Sequence, residues 1–146
     1  MKRSRLPAHL DRLVRSRARD VCEYCQIPQH SQEATFHIDH VIPLAGGGRT
    51  TEDNLALACV SCSLRKGARS KARDATSGDV VSFFNPRTDR WEDHFRWTPG
   101  FRLRGVTPVG RATIAALAMN RAAIVSIRTE LHALGRFPPV RKDEKR

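Results

Sequence analysis

The sequence predicts an α+β protein organised around a small strand–loop–strand–helix unit. Three observations carry that expectation. Two CxxC pairs, Cys22 with Cys25 and Cys59 with Cys62, bracket 33 residues. Inside the bracket lie two β-prone runs, Phe36 to Ile42 and Asn54 to Ala58, separated by Pro43 and the loop Gly46-Gly47-Gly48. Helical periodicity precedes the first pair and fills the last third of the chain.

Composition narrows the class. A chain of 146 residues, 40% of them hydrophobic, suits one domain of ordinary size with a modest core. The net charge of +11 predicts attraction to polyanions. Nucleic acid is the first expectation and an anionic membrane surface the second. No apolar run reaches the roughly 18 residues of a membrane span. The start, Met1-Lys2-Arg3-Ser4-Arg5, resembles the charged end of a signal peptide, but Asp11, Arg12 and Arg15 interrupt any apolar stretch behind it. The expectation is a cytoplasmic protein with no membrane partner. Its thiols stay reduced there, so paired cysteines point to metal and not to disulfides.

The elements follow in order. Residues 1–21 read as a basic helical arm. Over residues 1–19, seven Lys/Arg stand against Asp11, and Leu10, Leu13, Val14 and Ala18 recur at helical spacing over about 7–19. Pro7 suits the first helical position. Arg12 and Arg15 on this helix are either a solvated face or phosphate contacts. Residues 22–73 form the central unit, with strands at 36–42 and 54–58 and a helix from 60 to about 70. Arg65, Lys66, Arg69, Lys71 and Arg73 make its end basic, a second candidate phosphate surface. Residues 74–146 read as a β-rich extension followed by a long helix. Val80 to Phe84 is a strand, Asn85-Pro86 starts a turn, and Phe101 with Leu103 begins another strand. Thr107-Pro108 supplies an N-cap and first position for a helix running to residue 134, where Gly135 closes it. Such a helix would be about 40 Å long. Its apolar stripe, from Ile114 and Leu117 to Leu131 and Leu134, needs a partner. That partner is either the core or a second copy, which would make a homodimer. The tail from Arg141 to Arg146 is expected to fray.

Cys22, Cys25, Cys59 and Cys62 fit a tetrahedral thiolate site, with zinc as the metal. Four protein ligands leave no open position, so the expected role is structural. Chemistry is expected elsewhere, at Asp39-His40. Histidine can take a proton from water near neutral pH, and a carboxylate can hold a divalent ion that stabilises phosphoryl oxygens. Neighbours in an extended chain point to opposite sides, so the backbone must turn back at Pro43, and the glycine loop permits it.

Taken together, His37-Ile-Asp39-His40-Val-Ile-Pro43, the glycine loop, Asn54-Leu55 and the two CxxC pairs resemble an HNH nuclease domain of the ββα-metal type, in its four-cysteine zinc variety. The resemblance covers about 22–67. It implies that His40 is the general base, that Asp39 binds a catalytic divalent metal such as Mg²⁺, and that Asn54 holds the loop that orients the base. It also implies a second metal ligand directly after the last cysteine. The family usually has Asn or His there; this chain has Ser63, whose hydroxyl has a shorter reach. His37 shares a strand face with Asp39 and is a further metal ligand, a support for one, a nucleic-acid contact or a plain surface histidine. The stretch from Phe84 to Trp97, with Arg87 and His94, resembles extensions on standalone bacterial HNH proteins.

The leading expectation is a metal-dependent endonuclease hydrolysing phosphodiester bonds, with double-stranded DNA as its partner. Two alternatives stay open: a zinc-stapled DNA-binding module whose catalysis has lapsed, for which Ser63 speaks, and an RNase on the same site.

Overall fold

In the computed structural model, residues 6–139 are described. Lys2, Arg3 and Arg5 of the basic run and the tail from Arg141 to Arg146 lie outside them. The first helix, α1 (Ala8–Ala18), follows Pro7, which is the N-cap and not the first helical residue. It buries Leu10 and Val14 against β2 (Leu55–Ala58). Each such side chain stabilises the fold by roughly 1.5–3 kcal/mol. The helix predicted as a basic arm is thus anchored in the core by its apolar face. Arg19, left-handed at φ 54°, ends it.

The two runs between the cysteine pairs form β1 (His37–His40) and β2, an antiparallel pair. His37 lies opposite Ala58, Asp39 opposite Ala56 and His40 opposite Leu55. Small alanines beside His37 and Asp39 leave room on that face for α2 (Val60–Lys66), which packs on both strands. The helix predicted to reach about residue 70 stops at Lys66. Gly67 (φ 54°) turns the chain, and Lys71–Arg73 becomes a strand, β3. It pairs with β4 (Val80–Ser82), so the basic end of the motif is half hairpin. The first cysteine knuckle closes the other edge of β2. The Glu23 amide donates to the Leu57 carbonyl at 2.8 Å, and the Leu57 amide donates to the Glu23 carboxylate at 2.9 Å.

The extension adds a one-turn helix, α3 (Trp91–His94), and the hairpin β5 (Phe95–Trp97) with β6 (Leu103–Gly105). Tyr24, Phe84, Trp91 and Phe95 stack edge-on or tilted, and the Trp91 indole donates to the Tyr24 carbonyl at 3.0 Å. One buried cluster therefore includes residues of the knuckles and of the extension.

The long terminal helix is two helices. Thr107 caps α4 (Pro108–Ala116), accepting from the Gly110 amide at 3.0 Å, and α5 (Ala122–Ala133) follows a break. Ala118 is left-handed (φ 48°), and Asn120 reaches back to β6. Its Oδ1 accepts from the Leu103 amide at 2.6 Å, and its Nδ2 donates to the Leu103 carbonyl at 2.8 Å. Leu117 and Met119, both 0% exposed, enter the core at the break. Satisfying the edge of β6 and burying two side chains outweighs continuing a helix in a run with no Gly or Pro. Of the apolar stripe, Leu117 and Ile124 join the core cluster, Ile114 packs against it and Leu131 is buried, while Leu134 is exposed.

Candidate active site and metal centre

The knuckles bring the four cysteines together. Cys22, Cys25, Cys59 and Cys62 are buried, and their sulfur atoms all lie within 4.8 Å of one another. Cys25 and Cys59 Sγ are 3.7 Å apart. Four sulfurs about 2.3 Å from one tetrahedral ion stand about 3.8 Å from each other. The Cys25 amide points at Cys22 Sγ (3.5 Å) and the Cys62 amide at Cys59 Sγ (3.4 Å). Such N–H donors favour ionised thiolates, so the donor set fits zinc. Among the described residues these four form the only group of three or more His, Cys, Asp or Glu placed to hold a metal.

On the far side of β1 from β2 opens a cleft of about 820 Å³. α1 contributes Asp11 and Arg15, β1 contributes His37, Asp39 and His40, and Ser63, Gly67 and Ala68 line it from α2 and the turn after it. β1 is an edge strand, so residues from both of its faces reach this opening. Asp39 is 8% exposed and already well occupied. Tyr24 Oη donates to Asp39 Oδ2 at 2.8 Å, and Lys66 Nζ stands 3.2 Å from the same oxygen. Burial raises the Asp39 pKa, opposed by the Lys66 charge and the Tyr24 hydrogen bond. His37 Nδ1 and Ser63 Oγ hydrogen-bond at 2.9 Å.

His40 points to the other face. Its Nε2 hydrogen-bonds Thr50 Oγ1 at 2.9 Å. Burial lowers its pKa; Asp39 raises it and Lys66 lowers it again. The net direction keeps the ring neutral at pH 7, the form that can accept a proton. Asn54 ties the loop behind it. Asn54 Oδ1 accepts from the Ile42 amide at 2.9 Å, and Nδ2 donates to the carbonyls of Ile42 (3.0 Å) and Arg49 (2.9 Å). A Cβ on Gly48 would sit 1.7 Å from the Ile42 carbonyl oxygen, so only glycine lets the loop close.

Of the basic residues, Arg12, Arg65, Arg69, Lys71 and Arg73 are exposed, and Arg15 is half-buried and paired with Asp11 at 2.8 Å. Lys66 corrects the expectation of a basic surface. It is 1% exposed, and besides Asp39 it donates to the His40 carbonyl at 2.9 Å. Its ammonium is held inside by the two residues of the motif and does not face solvent. Arg87 and His94 lie away from the cleft, Arg87 paired with Glu23 and His94 with Thr107. Sequence reasoning passed over Tyr24 and Thr50. Tyr24 could have been suspected, because a residue inside a CxxC knuckle is carried to wherever the knuckle docks. Thr50 gave no signal.

The fold and site therefore define a strand–strand–helix unit whose ends meet at a four-cysteine cluster compatible with zinc, with a histidine and a carboxylate at one cleft. The model of the family HNH endonuclease matches residues 22–69, which span both cysteine pairs, both strands and α2. This is the family that the motif resembles, one of nuclease-type proteins acting on nucleic acid. No curated protein and no solved structure matches the chain. No helix of the described residues is long and apolar enough to cross a membrane.

Proposed function

We propose that the chain is a metal-dependent endonuclease that hydrolyses phosphodiester bonds in DNA, with His40 as the general base. The observation that carries this reading is the setting of His40: an imidazole at a cleft, hydrogen-bonded to Thr50, its pKa lowered by burial, with Asp39 beside it in the chain. Asp39, Ser63 and His37 present a carboxylate, a hydroxyl and an imidazole to the same cleft, two hard oxygens and one borderline nitrogen that suit a divalent ion with much of its shell left to water. A divalent ion there would supply charge neutralisation for the phosphoryl oxygens and the leaving oxygen.

The protein's own groups do the rest. Arg65, Arg69, Lys71 and Arg73 attract the phosphate backbone without reading bases. Thr50 sets the ring plane of His40, and Lys66 fixes the His40 backbone through its carbonyl. His40 then takes a proton from the attacking water, as a positioned base of suitable pKa. Zinc at the four cysteines holds the two ends of the unit together and takes no part in the reaction.

A binding module without cleavage is the second reading. The Asp39–Lys66 pair favours it, since a buried ammonium already occupies the carboxylate. Purified protein on supercoiled plasmid and on RNA, across Mg²⁺, Mn²⁺ and Ni²⁺, tests both. Nicking of plasmid that is lost in His40→Ala supports the nuclease. Binding without cleavage under every metal supports the module, and cleavage of RNA alone would move the substrate to RNA.

A further inference from the structure

Arg128 on α5 is 0% exposed. Every partner its nitrogens find is neutral. Nη1 donates to the Phe101 carbonyl at 3.1 Å and Nη2 to the Cys25 carbonyl at 3.3 Å, while Nε has no hydrogen-bond partner. The guanidinium lies 5.1 Å from the Trp97 ring centroid. Among the described residues, no carboxylate pairs with it. A fully buried cation with no opposite charge is strongly unfavourable. The negative charge in reach is the cysteine cluster. The hydrogen bond from Nη2 to the Cys25 carbonyl sets the guanidinium beside that cluster, with the Trp97 ring against it. The cluster has the converse need: one divalent ion with four thiolates carries a net charge of about −2 inside the core.

We infer that Arg128 is the counter-charge of the four-cysteine centre, so that metal loading and the docking of α5 depend on each other. The inference rests on the cysteines holding zinc. Arg128 comes from 103 residues beyond Cys25, so the charge that completes the centre is delivered only when the extension has folded onto the knuckles. It is a positioning residue, touching the ligand's backbone and not the metal.

The test compares the full chain with Arg128→Met, which keeps bulk and removes charge, and Arg128→Lys, which keeps charge. Competition with a chromophoric chelator should show zinc held about 10–100-fold more weakly by Arg128→Met, the range for residues that support metal ligands. Arg128→Lys should lose less. Urea unfolding should show Arg128→Met destabilised in the zinc-bound form and no less stable than the parent in the zinc-free form, because an uncompensated cation has gone. Equal loss in both forms would mean a packing role and overturn the inference, as would unchanged zinc affinity. Should the zinc-free proteins prove unfolded, the ordering of zinc affinities decides alone, and Arg128→Lys binding no better than Arg128→Met overturns it. A parent protein that binds no zinc would instead refute the reading of the cysteine centre, and this inference with it.

Discussion

At the scale of single residues, the site depends on which groups are held and by what. His40→Ala should abolish nicking and leave DNA affinity nearly unchanged, since the phosphate contacts are proposed for the exposed arginines and lysines. Near wild-type nicking by the variant would reject His40 as the base. Its pH profile carries a sign. Burial lowers the His40 pKa below the ordinary 6.5, so the active, neutral form persists to lower pH. The acid limb of cleavage should therefore be centred below pH 6.5. An acid limb centred above 6.5 would contradict that environment. Ser63 faces His37 at 2.9 Å, and serine is shorter than the residue the family usually has there. Ser63→Asn should lower the metal concentration for half-maximal nicking and Asp39→Ala should abolish nicking. Superimposable metal titrations of the parent, Ser63→Ala and Ser63→Asn would remove Ser63 from the metal site and leave His37 as the first candidate.

At the scale of elements, loops and helix ends are pinned by side chains. Asn54 makes three hydrogen bonds to the backbone of the loop behind His40. Asn54→Ala leaves part-buried backbone groups of Ile42 and Arg49 without their partner, so it should cost about 1 kcal/mol in chemical denaturation and reduce cleavage more than binding. A stability within error of the parent would mean that water replaces the clamp. Asp74 ties β3 and β4 to α4: Arg111 donates to both of its oxygens, at 3.0 and 2.9 Å. This pairing holds the Asp74 pKa well below the ordinary carboxylate value. A group depressed on folding contributes stability above its unfolded pKa and loses it as pH falls through the folded one. Urea midpoints should thus fall from pH 5 towards pH 2 in the parent, and less steeply in Asp74→Asn. Parallel curves would show that this pair is silent.

For the whole molecule, the surface charge and the buried four-cysteine centre act on different observables. Affinity for nucleic acid should fall steeply with salt and vary little with sequence. Replacing Arg65, Arg69, Lys71 and Arg73 by alanine should shallow the slope of log affinity against log salt. An unchanged slope would place the interface elsewhere. Deleting α1 is a poor probe of the same idea, because Leu10 and Val14 are core residues and Arg17 Nη2 donates to the Leu55 carbonyl. Cys22→Ser or Cys59→Ser should lose zinc, much of the folded unit and activity together, against about one zinc per chain in the parent. A folded, active protein with no zinc would refute the staple.

What the sequence determined by itself was whatever local rules govern. The CxxC spacing, the β-prone runs ended by Pro43, the Thr107-Pro108 start and the Gly135 stop each depend on residues a few positions apart, and each is visible as a pattern. The Asp-His pair was visible in the same way, whereas the part expected of Asn54 came from the family resemblance. Tertiary structure alone decided the partners. Tyr24 meets Asp39 across 15 residues, Lys66 meets His40 across 26, and Arg128 meets Cys25 across 103. Charge counting placed Lys66 on the surface because composition cannot tell which ammonium a buried carboxylate will draw in. The break between α4 and α5 was hidden likewise. Nothing in residues 117–121 stops a helix, and the chain turns there because the edge of β6 offers Asn120 two hydrogen bonds that no local pattern contains.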